Sequence, residues 1–221
     1  MKLSAGTHEN HLITKMDDVR AAIRSGDYFR VRDLLDAGFD PKAADQYGMT
    51  TLHSAALNGR AVIAQLLIER GANPDAVDWD GDTPLHYATD QRNSSPLRSL
   101  LDAGANPNIA NAEGWTPLHI AANHGDEYAV RLLLDAGANP TLTDRDGMTA
   151  AQLTSDPEPR AMLDDAAYVW DHPWTIEEHS RWPEARRLEY VALLSALRDQ
   201  PSRQIELPKL PREIEYSVFG R

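Results

Sequence analysis

The chain contains no cysteine. Disulfide staples, thiolate nucleophiles and cysteine-ligated zinc are excluded together, and the composition suits a reducing compartment. Basic residues are in short supply: 22 Lys and Arg stand against 34 Asp and Glu, for a formal net charge of −12. Such a surface repels nucleic acid and anionic membrane and favours partners with basic faces. No apolar run approaches the roughly 18 residues of a membrane-spanning helix. Residues 1–15 are polar, lack the apolar core of a secretory signal, and read as a flexible leader. No nucleophile–base pair, glycine-rich phosphate loop or metal-ligand spacing occurs, so the expected chain is not an enzyme and takes no cofactor or metal. The expected location is cytoplasmic or nuclear. Aromatic residues make up only 7% of the chain, so each one is a feature to place.

What the chain does have is a period. Gly48, Gly81, Gly114 and Gly147 are each 33 residues apart. A fixed period of this size marks stacked repeats, which bury a continuous core only by packing on their neighbours. The units align as 45–77, 78–110 and 111–143, with a partial unit before them (16–44) and another after (144–167). Each opens on an Asx-x-x-Gly turn, such as Asp78-Trp-Asp-Gly81, in which the Asx side chain bonds backbone and the glycine relieves φ strain. Thr-Pro-Leu-His follows at 83–86 and 116–119, and Thr-Thr-Leu-His at 50–53. Threonine is a helix N-cap, proline suits the first helical position, and the histidine three residues on can return a hydrogen bond. His53, His86 and His119 are therefore expected to cap helices. One per repeat, they form a ladder and not a converging metal site. Leu66-Leu67, Leu100-Leu101 and Leu132-Leu133-Leu134 build a second helix, which Gly71, Gly104 and Gly137 stop. Arg92 stands where Gly59 and Gly125 stand in the adjoining repeats, and Pro96 predicts a second helix that starts late, shorter by roughly one turn.

These motifs in fixed register, with the Ala55-Ala56 and Ala121-Ala122 pairs and Gly-Ala-Asn-Pro, resemble the ankyrin-repeat family. The resemblance implies an all-α fold: a curved solenoid of antiparallel helix pairs joined by projecting hairpin turns. The end units depart from the pattern as caps should. The first carries polar Asp17, Asp18 and Arg20, and the last reads Thr149-Ala-Ala-Gln152. In this family recognition is carried by hairpin tips and inner-helix ends. By register the tips are Gln46, Tyr47, Met49, Trp79, Asp80, Asp82, Glu113, Trp115, Arg145, Asp146 and Met148. The inner-helix ends are Leu57, Asn58, Asp90, Gln91, Asn123 and His124. Tyr47, Trp79 and Trp115 are expected to form one aromatic stripe flanked by Met49 and Met148, with Asp80, Asp82, Asp90 and Glu113 as an acidic rim. The expected ligand is a protein partner with a basic or partly apolar face. Asn108, in its Gly-Ala-Asn-Pro-Asn context, resembles the site that asparaginyl hydroxylases modify in ankyrin repeats.

After about Asp165 the register is lost. Residues 168–221 form a tail in which Trp170, Trp174 and Trp182 cluster, and these are expected to dock it on the last repeat. Glu184 to Asp199 reads as an amphipathic helix, with Leu188, Val191, Ala192, Ser195 and Ala196 on one stripe. Leu207-Pro208 and Leu210-Pro211 follow, then Ile214. This helical tail resembles a SOCS box, with Arg187 in place of a small residue, Ala192 in place of the usual cysteine, and Lys209 inserted between the Leu-Pro pairs. The stretch from Leu210 to Ile214 also resembles an F-box-like Leu-Pro-x-Glu-Ile end. Either resemblance implies that Leu188, Ala192, Ala196, Leu207, Pro208, Leu210, Pro211 and Ile214 meet an elongin- or Skp-type adaptor. The chain would then be a substrate receptor for a cullin-type ubiquitin ligase. The alternative is a plain ankyrin scaffold or inhibitor whose tail is only a structural cap.

Overall fold

A computed structural model describes residues 16–171; the expected N-terminal leader and the tail from residue 172 onward, including every adaptor residue named above, lie outside the described residues. The helices alternate as the period predicts. Inner and outer partners are α1 (16–25) and α2 (Tyr28–Asp36), α3 (Thr51–Leu57) and α4 (Ala61–Glu69), then α5 (Pro84–Asp90) and α6 (Ser94–Asp102). After them come α7 (Pro117–Asn123) and α8 (Glu127–Asp135), then α9 (Ala150–Leu153) and α10 (Pro157–Asp171). The inner helices α3, α5, α7 and α9 pack in series, and so do the outer helices α2, α4, α6 and α8. No extended strand occurs among the described residues, only single antiparallel bridges at hairpin bases, Ala44 with Thr50 and Thr143 with Thr149.

The core repeats with the sequence. Leu52, Leu85 and Leu118 on the inner helices, and Leu67, Leu100 and Leu133 on the outer ones, are all buried. Each layer presents the same shape to the next, so no layer is buried without its neighbours. The outer helices end as the glycines predict. Gly71 has φ +95°, its N–H bonds Ile68 O at 2.8 Å, and Ala72 N–H bonds Leu67 O at 2.9 Å, which together make a Schellman motif. At the far end α10 packs on α8 and α9, and its Met162 and Leu163 are buried.

One expectation is corrected. Pro96 does not shorten its helix: α6 has 9 residues, like α4 and α8. The proline is the third residue of α6, within the first turn, where backbone N–H groups have no intrahelical acceptor to lose.

Thr51 stands at the first helical position, which Pro84 and Pro117 fill in the next repeats. Its hydroxyl is buried without a hydrogen-bond partner, and the preceding Thr50 is already extended at ψ 171°, as a residue before proline must be. Thr51→Pro removes the orphan hydroxyl and restricts the unfolded chain. We expect a gain of about 1–2 kcal/mol in urea-induced unfolding.

Candidate functional site: the hairpin ridge

The ridge is built from one repeated device. The Asx residue opening each hairpin folds it from within. Asp78 Oδ1 accepts from Asp80 N at 3.0 Å and from Asp82 N at 2.9 Å, and Asp45, Asn111 and Asp144 do the same in their own hairpins. Each hairpin then bonds the next. Trp79 N donates to Tyr47 O at 3.0 Å, Ala112 N to Asp80 O at 2.7 Å, and Arg145 N to Glu113 O at 3.1 Å. The glycines make this approach possible. A Cβ on Gly48, Gly81 or Gly114 would sit 2.8–3.1 Å from backbone atoms of the following hairpin.

The histidines fasten hairpins to helices. His86 Nδ1 accepts from Thr83 N at 3.1 Å and lies 2.8 Å from Thr83 Oγ1, while its Nε2 donates to Trp115 O, in the next repeat, at 3.0 Å. His53 reaches Asp82 O at 3.0 Å and His119 reaches Met148 O at 3.2 Å in the same way. This geometry fixes the tautomer, with the proton on Nε2, so each ring is a capping acceptor and an inter-repeat donor at once. Burial holds all three imidazoles below their ordinary pKa; the bonded carbonyls and carboxylates such as Asp78, Asp82 and Asp144 oppose it and are outweighed. Capping alone therefore understates what these residues do.

The structure adds a fourth rung. Arg20, taken above as a cap polarity, donates from Nη2 to Met49 O at 3.0 Å and pairs with Asp45 at 2.8 Å. It stands 33 residues before His53 and makes the same forward bond with a longer side chain. Counting back one period from His53 would have found it. The ladder stops at Gln152, in register with His119, which caps through Thr149 N at 2.8 Å.

On this frame the predicted contact residues separate. Tyr47 and Trp79 come together edge to face, with ring centroids 5.7 Å apart, yet stay 55% and 75% exposed. Trp115 does not join them. It follows the hairpin glycine, in register with Met49, Asp82 and Met148, and is half-buried like them. The expected single stripe is thus an exposed pair plus a separate half-buried column. Gln46, Asp80, Glu113, Arg145 and Asp146 are exposed at the tips. Asp82 is partly buried and accepts from Asn111 Nδ2 at 2.8 Å; burial raises its carboxyl despite that bond. Below the ridge, the inner-helix ends are tied locally. Asn58 Nδ2 bonds Ser54 O at 2.8 Å, Gln91 Nε2 bonds Asp90 Oδ2 at 2.9 Å, and His124 Nε2 lies 3.6 Å from Asp90 Oδ1. Leu57 is half-buried and Asn123 exposed. Asn108 has both carboxamide atoms engaged across the repeat boundary, accepting from Asn139 N at 2.7 Å and donating to Gly137 O at 3.0 Å.

Among the described residues no group of His, Cys, Asp and Glu is placed to hold a metal ion, and no helix is long and apolar enough to cross a membrane. Stacked helix pairs with hairpins hydrogen-bonded tip to tip define a solenoid of the protein-binding class. A family model described as ankyrin repeats, in three copies, matches residues 19–111 and 91–155. These matches span more than half of the chain, and the chain belongs to the ankyrin-repeat family. No curated protein matches it significantly.

Proposed function

We propose that the hairpin ridge binds a protein segment that is basic and partly apolar. The observation that carries this reading is the Tyr47–Trp79 pair, large and exposed on tips that a hydrogen-bond ladder holds rigid. Rigid aromatics anchor interfaces at little entropic cost, and Asp80 next to Trp79, with Glu113 and Asp146 on the following tips, attracts cationic side chains. Partners selected on the full chain from a peptide-display library supply the test. Trp79→Ala is expected to weaken ridge binders about 30-fold or more and to shift the unfolding free energy by under about 1 kcal/mol. A large loss of stability with unchanged binding would instead make the pair a brace between hairpins.

The finer reading, a substrate receptor for a cullin-type ubiquitin ligase, rests on the tail's resemblance to a SOCS box or F-box-like motif. An amphipathic helix in an apolar groove is all that adaptor docking requires. Its competitor is the plain scaffold or inhibitor. Incubation of the full chain with purified elongin- and Skp-type adaptors decides between them, since absence of any complex would remove the ligase reading and leave the ridge untouched.

A further inference from the structure

Away from the ridge, the turns between inner and outer helices carry a second feature. Arg92 has a left-handed backbone, φ +53°, and is the one non-glycine to do so among the described residues. Gly59 and Gly125, one repeat to either side, take φ +71° and +62°. The turn demands this conformation, which glycine adopts without strain and arginine does not. The guanidinium recovers part of the difference by donating from Nη2 to His124 O at 2.6 Å, which uses one of its five N–H groups.

Arg92 also borders a depression of about 640 Å³ shared with Gly125, Asp126, Glu127, Tyr128 and Arg131. Both carboxylates there are already engaged: Asp126 caps α8 by accepting from Ala129 N at 3.0 Å, and Glu127 pairs with Arg131 at 3.0 Å. Tyr128 on the rim is 48% exposed, and its hydroxyl accepts from Arg98 Nη2 at 2.8 Å. Arg98 is fully exposed; Asp102 and Asp135 lie within its electrostatic reach but not in ion-pair contact. Two guanidiniums, each tethered at one nitrogen to a neutral oxygen and neither in an ion pair, thus flank one exposed tyrosine on a chain of net charge −12. Val62 on α4 and Phe29 on α2 hold the same register position and are 67% and 66% exposed, but Ser95 holds it on α6, so Tyr128 is the one apolar side chain of that register beside the two arginines.

We propose that this face binds an acidic segment of a partner protein, its carboxylates taken by Arg92 and Arg98 and an apolar side chain laid on Tyr128. The guanidinium fork matches a carboxylate with two parallel bonds, and its charge is opposite to that of the hairpin ridge. The strain that Arg92 carries in a glycine position points to a role for its side chain.

Panning the full chain against a random peptide library tests this without a known partner. A class of binders rich in Asp and Glu with an adjacent large apolar residue is expected. Arg92→Gly and Arg98→Glu should each weaken that class about tenfold or more, and Trp79→Ala should leave it within about twofold. Arg92→Gly should unfold at equal or higher denaturant concentration, since it removes strain. The proposal is overturned if acidic peptides are not enriched or if they bind Arg92→Gly as they bind the wild type. It also fails if Arg92→Gly lowers stability, because the arginine is then a tether to His124 alone. Concentration-dependent self-association abolished by Arg92→Gly would make the occupant a second copy of this chain and overturn the acidic partner.

Discussion

Gly114→Ala lowers the unfolding free energy by about 3–5 kcal/mol, while Gly147→Ala, in the same position one repeat later, lowers it by about 1 kcal/mol. The two glycines have nearly the same backbone, φ +83° and +77°, so the strain of a left-handed alanine is common to both. The difference lies in what the new methyl meets. At Gly114 it falls 2.8 Å from Arg145 N and 2.9 Å from Asp144 Cα. Those are backbone atoms, which cannot rotate aside as a side chain can. The hairpins must part, and the Arg145 N to Glu113 O bond at 3.1 Å is lost with them. At Gly147 nothing among the described residues lies within 4 Å, and no further hairpin follows among them. Urea titration of both variants measures the contrast. Equal losses would mean that φ strain is the whole effect and that close stacking of the hairpins contributes nothing.

The glycine pattern shows how far the sequence reaches. Period, turn chemistry and capping follow from spacing, because each is local and each is repeated. Thr83, Pro84 and His86 announce a helix start wherever they occur, and the Schellman glycines announce its end. What escapes is information carried between repeats. Arg20 bears no chemical likeness to a histidine, yet its reach to Met49 O makes it the first rung of the same ladder. Trp79 and Trp115 look equivalent as aromatics near a turn. One precedes the glycine and is exposed, the other follows it and is half-buried, a difference of column that only the folded hairpin reveals. Pro96 alone does not mark where α6 starts, because the first turn has several positions that tolerate proline. The acidic character of the ridge was visible in composition. The unpaired arginines of the opposite face were not, since pairing depends on which carboxylates are engaged elsewhere.

The buried ladder makes the repeats acid-labile well above the carboxylate range. His53, His86 and His119 are each buried, and burial lowers each pKa. Protonation also puts a hydrogen on Nδ1, which must then face the threonine N–H it had accepted from, at 3.1–3.2 Å. The sign follows directly. Below the ordinary imidazole value of 6.5, the unfolded chain takes up protons that the folded chain refuses, so stability falls as pH falls. Each histidine contributes up to about 1.4 kcal/mol per pH unit, and the three together up to about 4 kcal/mol. The loss continues only while the folded rings stay neutral, so its total is set by how far burial lowers each pKa. Asp45, held low because the N–H groups of Tyr47 and Met49 and the Arg20 guanidinium outweigh its burial, begins to lose its contribution only as the pH falls into the ordinary carboxylate range, where the unfolded chain protonates first. Asp82 works in the opposite sense, since burial raises its carboxyl and protonation there favours the fold, but only once the pH approaches carboxylate values. Urea midpoints measured from pH 7.5 to 5 give the slope. His86→Gln keeps an acceptor for Thr83 N, as Gln152 does for Thr149, and loses the reach to Trp115 O. It should be about 1–3 kcal/mol less stable at pH 7.5, with a pH slope reduced by about one proton in three. A flat profile in the wild type, or an unchanged slope in His86→Gln, would show that these rings accept protons inside the fold and that the ladder does not depend on their neutrality.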